Sequence, residues 1–272
     1  MSPLFSIITP TYNACAKLGD SFASVMEQAR GLFDYWVIDG ASSDGTREWL
    51  GGRNEDGFHW ISEKDSGVYD AMNKGIGLSR GRFLLFLGAG DRLLPGCLQQ
   101  MADFIEQNPS PHPRFIYGDV RKLQNGRPLT AGRYSKIRIC HGNICHQGIF
   151  YERSIFDQLG GYELRYPIMA DWAFNLRCFG DARISKLHFT EVIADFEGGG
   201  LCSHTPDEPF ARDRLRLIAE RIGLFHAIRY RVEEALKRRL CQHMLKAEMR
   251  KQEAGSEDLS SESLRDKADI ER

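Results

Sequence analysis

The sequence predicts an α/β protein built on a mostly parallel sheet, and three observations predict it. Along the first 91 residues, short apolar runs of strand length alternate with stretches of helical periodicity. Each run closes on a polar or acidic turn, at Thr9-Pro10-Thr11-Tyr12-Asn13, Asp39-Gly40, Asp65-Ser66-Gly67 and Asp91. The spacing leaves a helix between consecutive strands, which is what right-handed parallel crossovers need.

Residues 4–9 form an apolar run closed by Pro10, suited to a buried parallel strand. Over 14–30, Leu18, Phe22, Val25 and Met26 recur at helical spacing. Residues 35–39 predict a second buried strand. In the polar turn that follows, Ser43 or Asp44 can cap a short helix carrying Trp49 and Leu50. A third strand is expected over 58–62, a second crossover helix over 68–79 and a fourth strand over 82–87. After a helix over 95–107 the pattern loosens. Residues 115–118 and 148–151 read as strands around a polar loop at 124–126, 153–159 and 172–179 as short helices, and 184–196 as one or two strands ending at Gly198-Gly199-Gly200. This second half shares the core of the first.

Composition changes after Pro209. Between residues 211 and 251 there are twelve Lys or Arg against five Asp or Glu, a net of about +7. Leu215, Ile218, Ile222, Phe225, Ile228, Val232, Leu236, Leu240, Met244 and Leu245 recur at spacings of three and four, which predicts basic amphipathic helices. Such a face either packs on the protein body or docks on an anionic membrane surface. Residues 252–272 are rich in Ser, Glu and Asp and are expected to be disordered.

Bulk properties narrow the class. With 42% hydrophobic and 27% charged residues the chain reads as soluble and globular, and its net charge of −1 argues against nucleic acid as a partner. Seven scattered Cys, an odd number without a C-x-x-C pair, fit a reducing compartment. Cys140, Cys145 and His146 resemble a fragment of a metal site but lack a fourth ligand. No signal peptide is evident, and no apolar run approaches the ~18 residues that span a bilayer. The expected location is cytoplasmic, with peripheral contact to the inner face of the membrane through the basic helices.

The acidic strand ends carry the chemistry. Several carboxylates on one edge of a parallel sheet repel one another unless a cation or a hydrogen-bond donor joins them, and a divalent ion bridging phosphates does so. Neither a Walker A pattern nor G-x-G-x-x-G follows the first strand, so ATPase and dinucleotide readings lose their support.

S-I-I-T-P-T-Y-N (from Ser6), V-I-D-G-A-S-S-D-G-T (from Val37), E-K-D-S-G-V-Y-D-A-M-N-K-G-I (from Glu63) and F-L-G-A-G-D (from Phe86) resemble the nucleotide-binding half of inverting family-two glycosyltransferases of GT-A fold. His146-Gln147-Gly148 and Gly160-Gly161-Tyr162, with Ala170-Asp171-Trp172, resemble the acceptor half of that family, in its bacterial exopolysaccharide (colanic-acid-type) branch.

The resemblance implies a GT-A domain over 1–205, divided into a nucleotide-binding half (1–91) and an acceptor half (92–205). A helical extension (206–251) and a tail (252–272) follow. It implies that Thr9, Pro10 and Tyr12 cradle the nucleoside, that Asp39 accepts from a uracil imide, and that Asp65 and Asn73 lie near the ribose or pyrophosphate. Asp91 would ligate Mn2+ or Mg2+ on the diphosphate of a UDP- or GDP-sugar, although Gly88-Ala89-Gly90-Asp91 offers one carboxylate where many members have more. Asp171 would be the base that takes the proton of a glycan or polyprenyl-diphosphate-linked acceptor, with inversion; its plainer reading is the N-cap of the helix over 172–179, and one residue can serve both roles. His146 reads equally as a core histidine or a contact to acceptor or phosphate, and His204 is a candidate for the diphosphate or metal. Two other readings stay open: a nucleotidyltransferase, and a catalytically weak nucleotide- or glycan-binding module, which the reduced Gly88–Asp91 stretch favours.

Overall fold

The computed structural model describes residues 2–198, 206–240 and 242. Contacts divide the chain after His226. The first unit is built on one sheet in the order β3-β2-β1-β4-β8-β6-β9-β5, with β7 paired to β6. β1 (Phe5–Thr11), β2 (Phe33–Asp39), β3 (Phe58–Ser62) and β4 (Phe83–Phe86) are mutually parallel. β8 (Ile149–Glu152) is antiparallel to both β4 and β6 (Arg114–Lys122), while β9 (Ser185–Phe196) runs parallel to β6. β5 (Arg92–Leu93) turns back against the end of β9, and β7 (Pro128–Thr130) against the end of β6.

β1 is buried along its whole length, as a strand covered on both faces must be. It continues through Pro10. Its pairing with β4 ends at Ile8↔Phe86, whereas pairing with β2 runs on to Thr11↔Asp39, so the ladder tolerates proline's missing N–H there. One face is covered by α1 (Cys15–Met26) and α4 (Cys97–Gln107). Phe22 of α1 meets Tyr35, Trp49 and Phe58, the edge contacts with Trp49 and Phe58 having centroids 5.4 and 5.0 Å away. The other face receives α3 (Val68–Leu78), α6 (Ser154–Leu159) and α7 (Ala170–Gly180). There Phe86, Tyr151, Phe156, Tyr162 and Phe174 form an aromatic layer, with Phe156 stacked on Phe174 at 4.6 Å. Gly75 lets α3 close on β1, because a Cβ there would collide with Ile8.

α2 (Thr46–Gly51) starts after Gly45, not directly on Ser43 or Asp44. Asp44 still satisfies the helix start by accepting from Thr46 N at 3.1 Å. The expected helix at 172–179 begins earlier, at Ala170, with Met169 as its N-cap residue. Residues 184–196 are one strand. α5 (Lys136–His141), β5 and β7 were not anticipated.

The basic amphipathic stretch divides. α8 (Glu208–Leu217) and the π turn Ile218–Ile222 bury Phe210, Leu217, Ile218 and Ile222, with Phe210 against Tyr166 and Trp172. In the helix over 224–240, Leu224, Phe225, Ile228, Val232, Leu236 and Leu240 are all more than half exposed. No described helix is long and apolar enough to cross a membrane. The expected tail (252–272) lies outside the described residues.

Candidate active site

The loops after β1 and β2 are tied into one rim. Asn13, in the left-handed region at φ 49°, donates its N–H to Ser42 Oγ at 2.7 Å, and its side-chain oxygen accepts from Ser43 N at 2.9 Å. Ala14 N reaches Thr46 Oγ1, and Cys15 N reaches Asp44. Gly40 forms the floor between two candidates. A Cβ there would lie 2.6 Å from Asp65 Oδ2 and 3.3 Å from Tyr12 Cδ2. Tyr12 is 66% exposed, its ring free for a flat ligand. Asp65 Oδ1 accepts from Gly67 N at 2.9 Å, while no described bond engages Oδ2.

Other predicted nucleoside residues face inward. Thr9 is fully buried, its hydroxyl 3.1 Å from Tyr35 OH, whose pKa burial raises far above the usual phenol value. Pro10 is buried within the strand. Asp39 is fully buried and accepts from Ser42 N (3.0 Å), Ser42 Oγ and Ser62 Oγ (2.6 Å). It thereby fixes the rim, a role the sequence reading did not give it. Thr11 Oγ1 is buried without a partner among the described residues, at the same sheet edge. Asn73 departs further from expectation. Its amide brackets the Tyr162 backbone, donating to Tyr162 O at 3.0 Å and accepting from Tyr162 N at 2.8 Å. It clamps α3 to the Gly160-Gly161 turn, with both amide atoms engaged there.

Asp91 ends the turn after β4. Only 4% exposed, it accepts from Gln147 Nε2 at 2.7 Å and from Glu197 N at 2.9 Å. Burial pushes its pKa up, against the opposing pull of those hydrogen bonds. Gly88 gives the carboxylate its space, since a Cβ there would lie 2.6 Å from Asp91 Oδ2. Polar residues of α1 and of the turn after it hold this segment: Ser21 Oγ accepts from Gly90 N and donates to Gly88 O, Ser24 Oγ accepts from Leu93 N, and Gln28, just past the helix, bonds Leu94 O and Leu98 N. The overlooked sequence signal was Ser21 and Ser24 three apart on this helix, with Gln28 just past its end.

Asp171 lies in the first turn of α7 and is 5% exposed. Its Oδ1 accepts from Trp172 N at 2.8 Å and shares the Tyr69 hydroxyl proton, at 2.8 Å, with Ile168 O at 2.7 Å, and its Oδ2 accepts from Asn143 Nδ2 at 2.9 Å. Behind Asn143 the donors line up, with Tyr151 OH donating to Asn175 Oδ1 and Asn175 Nδ2 to Asn143 Oδ1. His146 Nδ1 stands 3.5 Å from Asp171 Oδ2. The short 3-10 turn His146–Gly148 therefore joins the two key carboxylates: His146 faces Asp171 while Gln147 bonds Asp91. Cys140 is buried with its thiol on Lys136 O, and burial raises its pKa to about 11. His204 lies outside the described residues.

Among the described residues, no group of three or more His, Cys, Asp or Glu side chains is placed to hold a metal. A cation would instead rest on Asp91, on its neighbours and on oxygens brought by a ligand. Asp91 fits that role, being a buried hard-oxygen donor whose hydrogen-bond donors are both uncharged.

A mixed, mostly parallel sheet with helices on both faces is a GT-A-like α/β fold. S. aureus TarS in complex with UDP-GlcNAc superposes with a TM-score of 0.63 at 21% identity, covering 82% of this chain and 66% of that one. A longer TarS chain gives 0.64 at 19% identity, and here the protein spans 39% of its length. The mannosyltransferase PcManGT from Pyrobaculum calidifontis, in complex with GDP-Man and Mn2+, gives 0.56 at 16% identity over 82% of this chain and 62% of that one. Residues 6–160 match Glycosyl transferase family 2. A PGL/p-HBAD biosynthesis glycosyltransferase of Mycobacterium bovis is 39% identical over 222 residues, covering 78% of this chain and 84% of that protein. TuaG of Bacillus subtilis, a putative teichuronic acid biosynthesis glycosyltransferase by name, is 32% identical over 130 residues, 47% of this chain and 51% of TuaG. The chain belongs to glycosyl transferase family 2.

Proposed function

We propose that this glycosyltransferase moves a sugar from a UDP- or GDP-linked donor to a glycan or polyprenyl-diphosphate-linked acceptor, with inversion, in the assembly of a cell-envelope polysaccharide or glycolipid. The observation that carries the reading is the His146–Gly148 turn, whose neighbouring residues His146 and Gln147 lie against Asp171 and Asp91 respectively. Relatives named for PGL/p-HBAD and teichuronic acid biosynthesis support a role in assembling such glycoconjugates.

In this reading Tyr12 lies against the base, and the Asp39-braced rim with Asp65 receives the nucleoside. Thr9 and Pro10 shape that rim from within. The acceptor hydroxyl attacks the anomeric carbon, the bond to the diphosphate oxygen breaks, and the hydroxyl proton passes to Asp171. Tyr69, Asn143 and the Trp172 amide hold the carboxylate in place for this step. Bound at Asp91, Mn2+ or Mg2+ would supply Lewis-acid stabilisation of the departing diphosphate. The exposed basic helix over 224–240 would bring the enzyme to an anionic membrane, on whose cytoplasmic face a lipid-linked acceptor is presented.

The test is a panel of UDP- and GDP-sugars with Mn2+ and lipid-linked glycan acceptors. Transfer with inverted anomeric configuration is expected. Absence of transfer with every donor, or retained configuration, overturns the reading.

A further inference from the structure

The turn Gly88-Ala89-Gly90-Asp91 offers a single carboxylate, yet a second one stands beside it from the far end of β9. We propose that Glu197 completes, with Asp91, the cation site that receives the diphosphate. This inference rests on the nucleotide-sugar reading above.

Three observations carry it. First, the backbone locks the two residues together, since Glu197 N donates to Asp91 Oδ1 at 2.9 Å. Second, Gly90 has φ 99°, and a Cβ built on it would collide with the Glu197 carboxylate. Glu197 thus fills the volume that a side chain at position 90 would occupy, one residue before Asp91. An acidic residue absent from the turn is replaced in space by one 106 positions away in sequence.

Third, the place already holds a cation. Lys17 Nζ, from the first turns of α1, sits 2.8 Å from Glu197 Oε2, and both side chains reach solvent. Asp91, by contrast, receives only uncharged donors in its burial. A divalent ion prefers hard oxygen donors and completes its shell with phosphate oxygens and water. Glu197 and Asp91 offer such donors on one side, and Lys17 occupies the position by charge alone. The lysine is therefore a competitor of the metal at Glu197.

The experiment titrates UDP and GDP into the full chain by calorimetry, with and without Mn2+, and follows free Mn2+ by EPR. In the wild type Mn2+ should tighten nucleotide binding. Glu197→Gln keeps the size and the main-chain bond to Asp91, and should weaken Mn2+ binding by about 10-fold or more, since altering even the outer partners of a metal's ligands costs about 10–100-fold. A thermal melt matching that of the wild type serves as the check that it is folded. Lys17→Met should shift Mn2+ binding the other way, towards tighter binding.

Unchanged Mn2+ affinity in Glu197→Gln overturns the assignment of Glu197 and leaves the nucleotide reading standing. Equal nucleotide affinity with and without Mn2+ in the wild type overturns the cation site itself. If neither nucleotide binds the wild type, the donor reading fails and takes this inference with it.

Discussion

Replacing Asp171 by Asn tests the base assignment and the network around it together. An Asn oxygen can still accept from Tyr69 OH and Trp172 N, but its new NH2 group then faces Asn143 Nδ2, donor against donor. Asn143 cannot simply flip, because its oxygen accepts from Asn175, whose oxygen in turn accepts from Tyr151 OH. Relief would require both amides to turn and the Tyr151 hydroxyl to abandon its partner. One charge-assisted bond is lost either way, a cost of about 1.5–3 kcal/mol in stability, readable as a shift of the urea midpoint. On activity, removing a general base should lower kcat about 10²–10⁴-fold with little change in donor KM. Single-turnover transfer from the productive donor, under conditions where the variant is fully folded, measures this. A kcat within about threefold of wild type would refute Asp171 as the base, whatever happens to stability.

Three further outcomes are expected. Asn73→Ala removes two bonds to the Tyr162 backbone, each worth about 0.5–1.5 kcal/mol, so denaturant unfolding should show a loss of about 1–3 kcal/mol with donor affinity largely kept. Asp181, pulled down to about 2 by Arg183, contributes stability that is fully present above its ordinary value of 3.8 and fades as pH falls towards 2. Asp181→Asn should therefore destabilise at pH 7 and match wild type near pH 2 in thermal melts. The full chain should sediment with phosphatidylglycerol vesicles in a salt-sensitive way, and Val232→Glu with Leu236→Glu should abolish this; sedimentation unaffected by salt or by the pair would count against membrane docking.

The fold of residues 1–91 was legible because each strand is a continuous apolar run ending on a polar turn, and the helices between them have clear periodicity. β5 and β7, of two and three residues, are too short for periodicity to register. Asp171 stands out in the sequence only through its motif. Its orienting partners Tyr69 and Asn143 lie 102 and 28 positions away, so only the fold joins them. Asp39 and Asn73 show the opposite limit. Their motifs mark them as part of the site, yet both spend their polar atoms on neighbouring loops, because two turns that carry no hydrogen-bond ladder must be held by side chains. The basic stretch after residue 209 shows a uniform apolar period, but the period alone does not tell which turns are covered: Ile218 and Ile222 are buried, and Ile228 and Val232 are not.

The His146–Gly148 turn has a consequence for how such enzymes can be recombined. It sits in the second half of the chain and grips a carboxylate of the first, while β5, just past Asp91, is zipped to the end of β9. On the proposed reading, residues 1–91 and the remainder of this chain are therefore not interchangeable cassettes. A chimera that joins residues 1–91 to the remainder of a relative inherits a foreign Gln147 and Glu197 around its own Asp91. Grafts that also carry both of these partners should keep working sites, whereas those cut at the apparent boundary between halves should fold and yet transfer poorly.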